Sequence, residues 1–201
     1  MPKSPNGHRE RHGLAFFRGF LRQPEVVGSV IPSSRFLERR IVDACELANA
    51  RLVVELGPGT GGTTRALLGA MRDDARLLAI DIAPDFVDVL DTNDDPRLIA
   101  HCGSAVDLAA ILARHALPAP DAVVSGIPFS TMPQETGEAV INGVWAALAP
   151  GGRFVAYQFR DRVAEIARPI LGAPRRRFEP RNVPPMRVYS WRKTGSAAHA
   201  A

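Results

Sequence analysis

A glycine-rich turn between a strand pattern and a helix pattern constrains this chain more than any other feature. The turn occupies residues 57–62 and follows the apolar run Leu52–Leu56. Three of its glycines let the backbone turn sharply and approach a ligand closely: Gly57, Gly59 and Gly61. Asp81 ends the next apolar run, 20 residues beyond the last of them, where a carboxylate can accept hydrogen bonds from both hydroxyls of a ribose. Together these features predict a nucleotide-type ligand at the start of the helix.

Short apolar runs alternate with helix patterns along most of the chain. The strand patterns are Leu52–Leu56, Leu77–Asp81, Leu98–His101, Ala122–Ser125, Phe154–Phe159 and Val188–Trp191. The helix patterns are Thr63–Met71, Asp85–Leu90, Val106–Arg114, Gln134–Leu148 and Asp161–Leu171. Such alternation is typical of a parallel sheet covered on both faces. We therefore expect a doubly wound α/β domain over residues 51–201, preceded by a helical extension over residues 1–50 that includes a helix from Arg35 to about Ala50.

The charge of the chain is unevenly distributed. Residues 1–40 carry eight Lys and Arg against three Asp and Glu, residues 41–150 carry six against fifteen, and residues 151–201 carry eleven against three. Basic ends around an acidic middle indicate that the flanks meet an anionic partner, either a membrane or a nucleic acid. No run approaches the ~20 apolar residues of a membrane-spanning helix, the five His are scattered, and Cys45 and Cys102 are too few for a disulfide framework. We expect a cytosolic protein without a metal site.

The segment Leu14–Arg22 has the pattern of an amphipathic helix. Its apolar face carries Phe16, Phe17, Phe20 and Leu21, and another face carries Arg18 and Arg22. Such a helix inserts its apolar face at the boundary between headgroups and acyl chains while its arginines engage anionic lipid. The alternative is that the phenylalanines pack on the domain as a lid. The run Arg175–Arg177 either adds to the membrane contact or is a solvated loop.

The segment Glu55–Gly61 resembles motif I of the class I S-adenosylmethionine-dependent methyltransferases, in the form E-x-G-x-G-T-G. The resemblance extends from about Arg51 to Trp191 and implies S-adenosylmethionine as the cofactor. It implies that the loop, with Thr60, binds the cofactor, that Glu55 helps to hold the methionine ammonium through the loop, and that Asp81 binds ribose. A dinucleotide fold also fits the glycine spacing, but only about 80 residues follow the fourth strand pattern, too few for the second half that a dehydrogenase needs.

Further cofactor contacts follow from the same resemblance. Ile82 is placed to pack against adenine, although a core role fits it equally well. Where the family commonly has Gly-Asp-Ala, this chain has glycine followed by Ser104 and Ala105, so a serine hydroxyl replaces the acid that contacts adenine. Ser125 and Gly126 end the fourth strand pattern, where methyltransferases place the acceptor beside the sulfonium.

Two acceptor classes compete at this strand end. Enzymes that methylate the exocyclic nitrogen of adenine have an Asn/Asp-x-Pro-aromatic motif, and here its first position is Gly126, which has no acceptor side chain. RNA adenine N6-methylation, as in the ribosomal-RNA adenine dimethyltransferases, is therefore the alternative. The chain more closely resembles the soluble bacterial phospholipid N-methyltransferases, in the segments Phe20–Pro24, Val27–Ser34, Val54–Gly61, Ser125–Phe129 and Asn182–Tyr189.

This second resemblance implies stepwise methylation of phosphatidylethanolamine towards phosphatidylcholine at the inner face of the cytoplasmic membrane, with no obligatory nucleic acid. Tyr157 is the candidate for orienting the amine, and with Phe129 it is the candidate for an aromatic cage around the methylated cation. Ser33 and Ser34 either contact the methionine end of the cofactor or cap the following helix. Arg35 either pairs with lipid phosphate or is a surface charge.

Overall fold

A seven-stranded sheet organises the chain in the computed structural model, which describes residues 33–91 and 93–194. Its strands are β1 (Leu52–Leu56), β2 (Arg76–Asp81), β3 (Leu98–Cys102), β4 (Ala122–Ser125), β5 (Arg153–Gln158), β6 (Arg175–Glu179) and β7 (Met186–Arg192). The helices are α1 (Arg35–Cys45), α2 (Gly62–Ala70), α3 (Pro84–Asp91), α4 (Leu108–Arg114), α5 (Gln134–Ala147) and α6 (Arg162–Leu171). Single 3-10 turns span Leu47–Asn49, Ala105–Asp107 and Phe129–Thr131.

Five parallel strands form the larger part of the sheet, in the order β3-β2-β1-β4-β5. β1 lies at their centre, and all five of its residues are buried, as expected for a strand flanked on both sides and covered on both faces. Because parallel strands present their carboxyl ends at one edge, the segments after β1, β2 and β4 lie side by side. The doubly wound α/β fold expected from the sequence is confirmed.

The far side of the sheet differs from the expected parallel arrangement. β7 runs antiparallel to β5, and β6 runs antiparallel to β7 at the edge of the sheet. The run Arg175–Arg177, which the sequence left as either a membrane contact or a solvated loop, lies in β6. An edge strand needs only one paired neighbour, and charged side chains protect its open side from further pairing. A run without apolar alternation can therefore form a strand here.

Helices cover both faces of the sheet over separate apolar cores. On one face, α1 and α2 pack on residues such as Val53, Val124 and Val155. On the other face, α4, α5 and α6 pack on residues such as Val54, Val123 and Phe154. The two faces alternate along each strand, as the pleat requires.

The helix α1 is the described part of the expected N-terminal extension. It ends at Cys45, earlier than the expected position near Ala50, because Glu46 adopts a left-handed conformation with φ 52°. Leu37 and Ile41 are fully buried in the core that α1 shares with β1. The amphipathic segment Leu14–Arg22 lies outside the described residues. Among those that are described, no helix combines the length and apolar character needed to cross a bilayer.

Candidate functional site

The glycine-rich turn joins β1 to α2 as the sequence predicts. Gly57, Gly59 and Gly61 have φ values of 73°, 53° and 78°, in the left-handed region that favours glycine. The turn also passes close to the segment after β4, since a Cβ added at Gly57 would lie 3.4 Å from the backbone nitrogen of Ile127. Side chains at these positions would strain the backbone. Thr60, at the tip of the turn, is exposed.

Asp81 ends β2 directly beside this turn. Its carboxylate is buried and accepts hydrogen bonds from the backbone N–H groups of Ala83, at 2.9 Å, and Gly59, at 3.4 Å. Burial raises the pKa of Asp81 from its ordinary value. The structure thus brings together the acid and the glycine turn that the sequence assigned to one ligand.

Glu55 is the most deeply buried acid of the site. It is fully buried in β1, and its Oε2 accepts a 2.7 Å hydrogen bond from the Thr64 hydroxyl, whereas its Oε1 has no hydrogen-bond partner among the described residues. Burial raises the pKa of Glu55 to about 7, although the bond from Thr64 opposes the shift. A buried carboxylate oxygen without a partner is costly unless a ligand satisfies it. The glycine turn and this oxygen therefore fit a cofactor that carries positive charge.

The expected adenine contacts follow the ends of β2 and β3, which are neighbours because Asp81 pairs with Cys102. Ile82 is half-buried, so its side chain is not confined to the core. The Ser104 hydroxyl accepts a 3.3 Å hydrogen bond from the Val106 N–H and so caps the 3-10 turn that begins at Ala105. Ser104 and Ala105 are both half-buried.

The segment after β4 forms the other side of the site. Ser125 is fully buried, and its hydroxyl has no hydrogen-bond partner among the described residues. A Cβ added at Gly126 would overlap the Tyr157 hydroxyl and would lie 2.9 Å from the carbonyl oxygen of Gly57. The phenol thus occupies the space that a larger residue at position 126 would fill.

Tyr157 lies on the same face of the sheet as Glu55. Its side chain is half-buried, and its hydroxyl is 3.4 Å from the Thr63 hydroxyl. Burial raises the pKa of Tyr157, and the Glu55 carboxylate reinforces the shift. The phenol is therefore neutral at physiological pH and can either donate or accept a hydrogen bond.

The aromatic cage expected from Tyr157 and Phe129 is not formed. Phe129 is fully buried in the core beneath α5 and α6, whereas Tyr157 packs against the core beneath α1 and α2. The two rings therefore lie on opposite faces of the sheet. The 3-10 turn after β4 carries Phe129 to the α5 side, where a Cβ added at Gly137 would lie 3.4 Å from its ring.

The start of α1 is held by a residue to which the sequence analysis gave no role. The Ser34 hydroxyl accepts a 3.3 Å hydrogen bond from the Leu37 N–H, as a helix cap does, while the Ser34 N–H donates to Asn182 Oδ1 at 2.8 Å. Asn182 is buried and also donates to the carbonyl oxygen of Pro184. Ser33 is half-buried, and Arg35 is exposed, with its guanidinium 4.9 Å from the centre of the Phe36 ring.

Glu38 is a second residue that sequence reasoning missed. It lies on α1 and is half-buried, and its Oε1 would be 3.1 Å from a Cβ added at Gly62, the first residue of α2. Burial raises the pKa of Glu38, and the charge of Arg65 opposes the shift. No short motif marks this position, because the contact joins two helices that are distant in sequence. The described residues contain no cluster of three or more His, Cys, Asp or Glu that could hold a metal ion.

Comparison with known proteins agrees with this geometry. The family described as "Methyltransferase domain" matches residues 53–152. An ornithine lipid N-methyltransferase from Singulisphaera acidiphila is 32% identical over 188 residues, which cover 87% of this chain and 92% of the relative.

Among solved structures, the N-methyltransferase NodS from Bradyrhizobium japonicum, in complex with S-adenosyl-L-homocysteine, superposes on this chain with a TM-score of 0.64 and is 16% identical. The match covers 90% of this chain and 97% of the NodS chain. An O-methyltransferase from Bacillus cereus is 13% identical and superposes with a TM-score of 0.64; the match covers 96% of this chain and 93% of the other. These two likenesses concern the fold. The family match, the relative and the glycine turn between Glu55 and Asp81 show that the chain belongs to the class I methyltransferases, whose cofactor is S-adenosylmethionine.

Proposed function

We propose that this methyltransferase methylates the amine of a lipid headgroup, with phosphatidylethanolamine as the substrate and phosphatidylcholine as the final product. The observation that carries the proposal is the relationship, over 87% of the chain, to an enzyme that methylates ornithine lipid. Both lipids present a primary amine at a membrane surface. We further propose that the enzyme acts at the inner face of the cytoplasmic membrane, where the basic segment Leu14–Arg22 docks on anionic lipid.

The residues of the cofactor site have distinct tasks in this reaction. When bound, S-adenosylmethionine supplies an electrophilic methyl group attached to a sulfonium. Asp81 accepts hydrogen bonds from ribose hydroxyls, and the turn at residues 57–61 lets the backbone approach the ligand closely. The unpartnered Oε1 of Glu55 stabilises positive charge near the turn.

Tyr157 orients the acceptor amine at the end of β5. An ethanolamine nitrogen is an ammonium in water and must lose one proton before it can attack. Because its pKa is raised, the Tyr157 hydroxyl stays protonated; it accepts a hydrogen bond from the amine, and the proton that the ammonium loses passes to solvent water. The carboxylates of Glu55, Glu38 and Asp81 create a negative electrostatic potential around this phenol. This potential favours the binding of a cationic headgroup.

The same geometry disfavours adenine as the acceptor. The adenine enzymes use an amide or acid at the position of Gly126, but any side chain there would collide with Tyr157 and with the Gly57 carbonyl. Ornithine lipid is a second candidate substrate, favoured by the relative. Its headgroup offers an amine without a phosphate, so a role of Arg35 in binding phosphate would be specific to phosphatidylethanolamine.

Lipid chromatography tests the proposal directly. The purified chain is incubated with methyl-labelled S-adenosylmethionine and anionic vesicles that contain phosphatidylethanolamine, ornithine lipid or neither, and a parallel sample receives RNA. We expect label in mono-, di- and trimethylated phosphatidylethanolamine. Label in ornithine lipid alone would mean that ornithine lipid, and not phosphatidylethanolamine, is the substrate. Cofactor binding without any lipid label, or with label in RNA, would overturn the proposal.

The two tyrosines of the chain provide a matched pair of variants. Tyr157→Phe removes the hydroxyl that orients the amine, and we expect turnover to fall about 10- to 100-fold, while the dissociation constant of the cofactor changes by less than about twofold. Tyr189→Phe removes a buried hydroxyl that donates to Asp161 on the other face of the sheet. This control should retain turnover. Equal losses of turnover in both variants would mean that Tyr157 does not orient the acceptor amine.

A further inference from the structure

The carboxyl end of β5 continues into an exposed apolar surface that the site does not use. Phe159 follows β5, Phe178 lies in β6, and Val183 lies in the connection between β6 and β7; their exposed fractions are 48%, 49% and 80%. We refer to these three residues as the rim. Since β7 is antiparallel to both β5 and β6, the end of β5, the end of β6 and the start of β7 meet at one edge of the sheet.

Arg187 joins the two phenylalanines of the rim. In the sheet register it lies between Gln158 and Phe178. Its guanidinium donates to the carbonyl oxygen of Phe159 and lies 5.8 Å from the centre of the Phe178 ring. Arg187 therefore links the backbone of Phe159 to the Phe178 ring, and Val183 lies in the connection that follows β6.

The rim is surrounded by positive charge. Residues 159–187 contain eight arginines and three acids. All three acids are ion-paired: Glu179 with Arg40 and Arg181, Asp161 with Arg187 and Arg176, and Glu165 with Arg162. The guanidinium of Arg181 also stacks on Phe36, 3.9 Å from the ring centre. Exposed apolar side chains within a basic border match the apolar boundary and anionic headgroups of a bilayer.

The rim adjoins the acceptor side of the site. Gln158 donates a 2.6 Å hydrogen bond to the carbonyl oxygen of Ile127, the residue after Gly126. A membrane that contacts Phe159 therefore reaches the edge at which the acceptor is expected. We propose that the rim docks on an anionic lipid bilayer, as a contact separate from the segment Leu14–Arg22, so that headgroups are presented to the site. The presentation of headgroups to the site rests on the proposed function, whereas the docking of the rim on a bilayer does not depend on it.

Vesicle sedimentation of the full chain tests the rim. Phosphatidylcholine vesicles with and without phosphatidylglycerol serve as the probe. We expect the combined variant Phe159→Ser, Phe178→Ser, Val183→Ser to bind anionic vesicles about tenfold or more weakly, because the apolar area that enters the bilayer is lost. Val183→Ser alone should also weaken binding, whereas its matched control Val89→Ser, on α3 with 50% exposure, should not. Unchanged sedimentation of the combined variant would overturn the proposal.

A second readout does not depend on the stability of that variant. Val183→Trp places a fluorophore at the most exposed rim position, and its emission should shift to shorter wavelength with anionic vesicles and not with neutral ones. No shift with anionic vesicles would overturn the bilayer as the partner of the rim. If lipid is methylated normally but vesicle binding does not depend on the rim, only the proposal for the rim is overturned. If vesicle binding depends on the rim but no lipid is methylated, only the proposed substrate is overturned.

Discussion

The buried Glu55 should make the cofactor-free protein less stable as the pH rises. Its pKa is about 7 in the folded protein, against an ordinary value of 4.5. Between these values the folded state binds more protons than the unfolded chain, so the free energy of unfolding falls as the pH increases. A difference of about 2.5 pKa units, at 1.36 kcal/mol per unit, corresponds to about 3 kcal/mol at pH 8.

The variant Glu55→Gln isolates this effect. Gln has nearly the same shape and cannot ionise, and its carbonyl oxygen can keep the hydrogen bond from Thr64. Its amide N–H₂ would occupy the unpartnered position of Oε1 and costs about 1–3 kcal/mol at every pH. The informative quantity is therefore the change with pH: the stability of Glu55→Gln relative to the native protein should rise by about 3 kcal/mol from pH 4.5 to pH 8.

Urea unfolding of the cofactor-free proteins, followed by the fluorescence of Trp145 and Trp191, measures this difference at both pH values. Cofactor affinity, measured by calorimetry at pH 8, should fall in the same variant because the neutral amide no longer stabilises positive charge. A difference in stability between the two proteins that does not change with pH would refute the reasoning, since it would mean that Glu55 titrates near its ordinary value in the folded state.

Two further substitutions test other parts of the structure. Asp81→Ala should weaken cofactor binding by about 1–3 kcal/mol through the lost ribose hydrogen bonds, and an unchanged dissociation constant by calorimetry would remove Asp81 from the site. Glu179→Ala should destabilise the fold by about 2–3 kcal/mol at pH 7, because Arg40 and Arg181 lose their buried partner. Since these arginines, chiefly Arg181, lower the pKa of Glu179 to about 2, the native advantage should be present above pH 4.5 and disappear as the pH falls towards 2; a deficit in urea unfolding that persists at pH 2 would contradict this.

The cofactor half of the site was predictable because its signals are local. The turn between Glu55 and Gly61 is a short continuous segment, and the strand order places Asp81 beside it. The apolar runs that specify β1 to β5 are likewise local patterns. The S-adenosylmethionine cofactor, which the resemblance to motif I implies, is confirmed by the family to which the chain belongs.

The missed features depend on contacts between different segments of the chain. The strand β6 consists largely of arginines and is stabilised as a strand by pairing with β7. Phe129 resembles an acceptor-site residue by its motif, but the turn after β4 buries it beneath α5 and α6. Glu38 reaches the start of α2 only because α1 packs across the sheet. None of these placements can be derived from periodicity within one segment.

The connection between β6 and β7 links the two proposals physically. Asn182 in this connection accepts a hydrogen bond from Ser34 at the start of α1, and Glu179 at the end of β6 pairs with Arg40 of α1. Val183 of the rim is exposed in the same connection. The placement of Glu38 over the start of α2 therefore depends on a segment that we expect to touch lipid. Basic residues of the C-terminal part of the chain, Arg181 and Arg187 among them, lie near the rim, whereas the acidic middle of the chain contributes Glu55 and Asp81 to the candidate cofactor site. A bilayer held at the rim would fix the end of β5, and with it Tyr157, relative to the headgroups that the enzyme methylates.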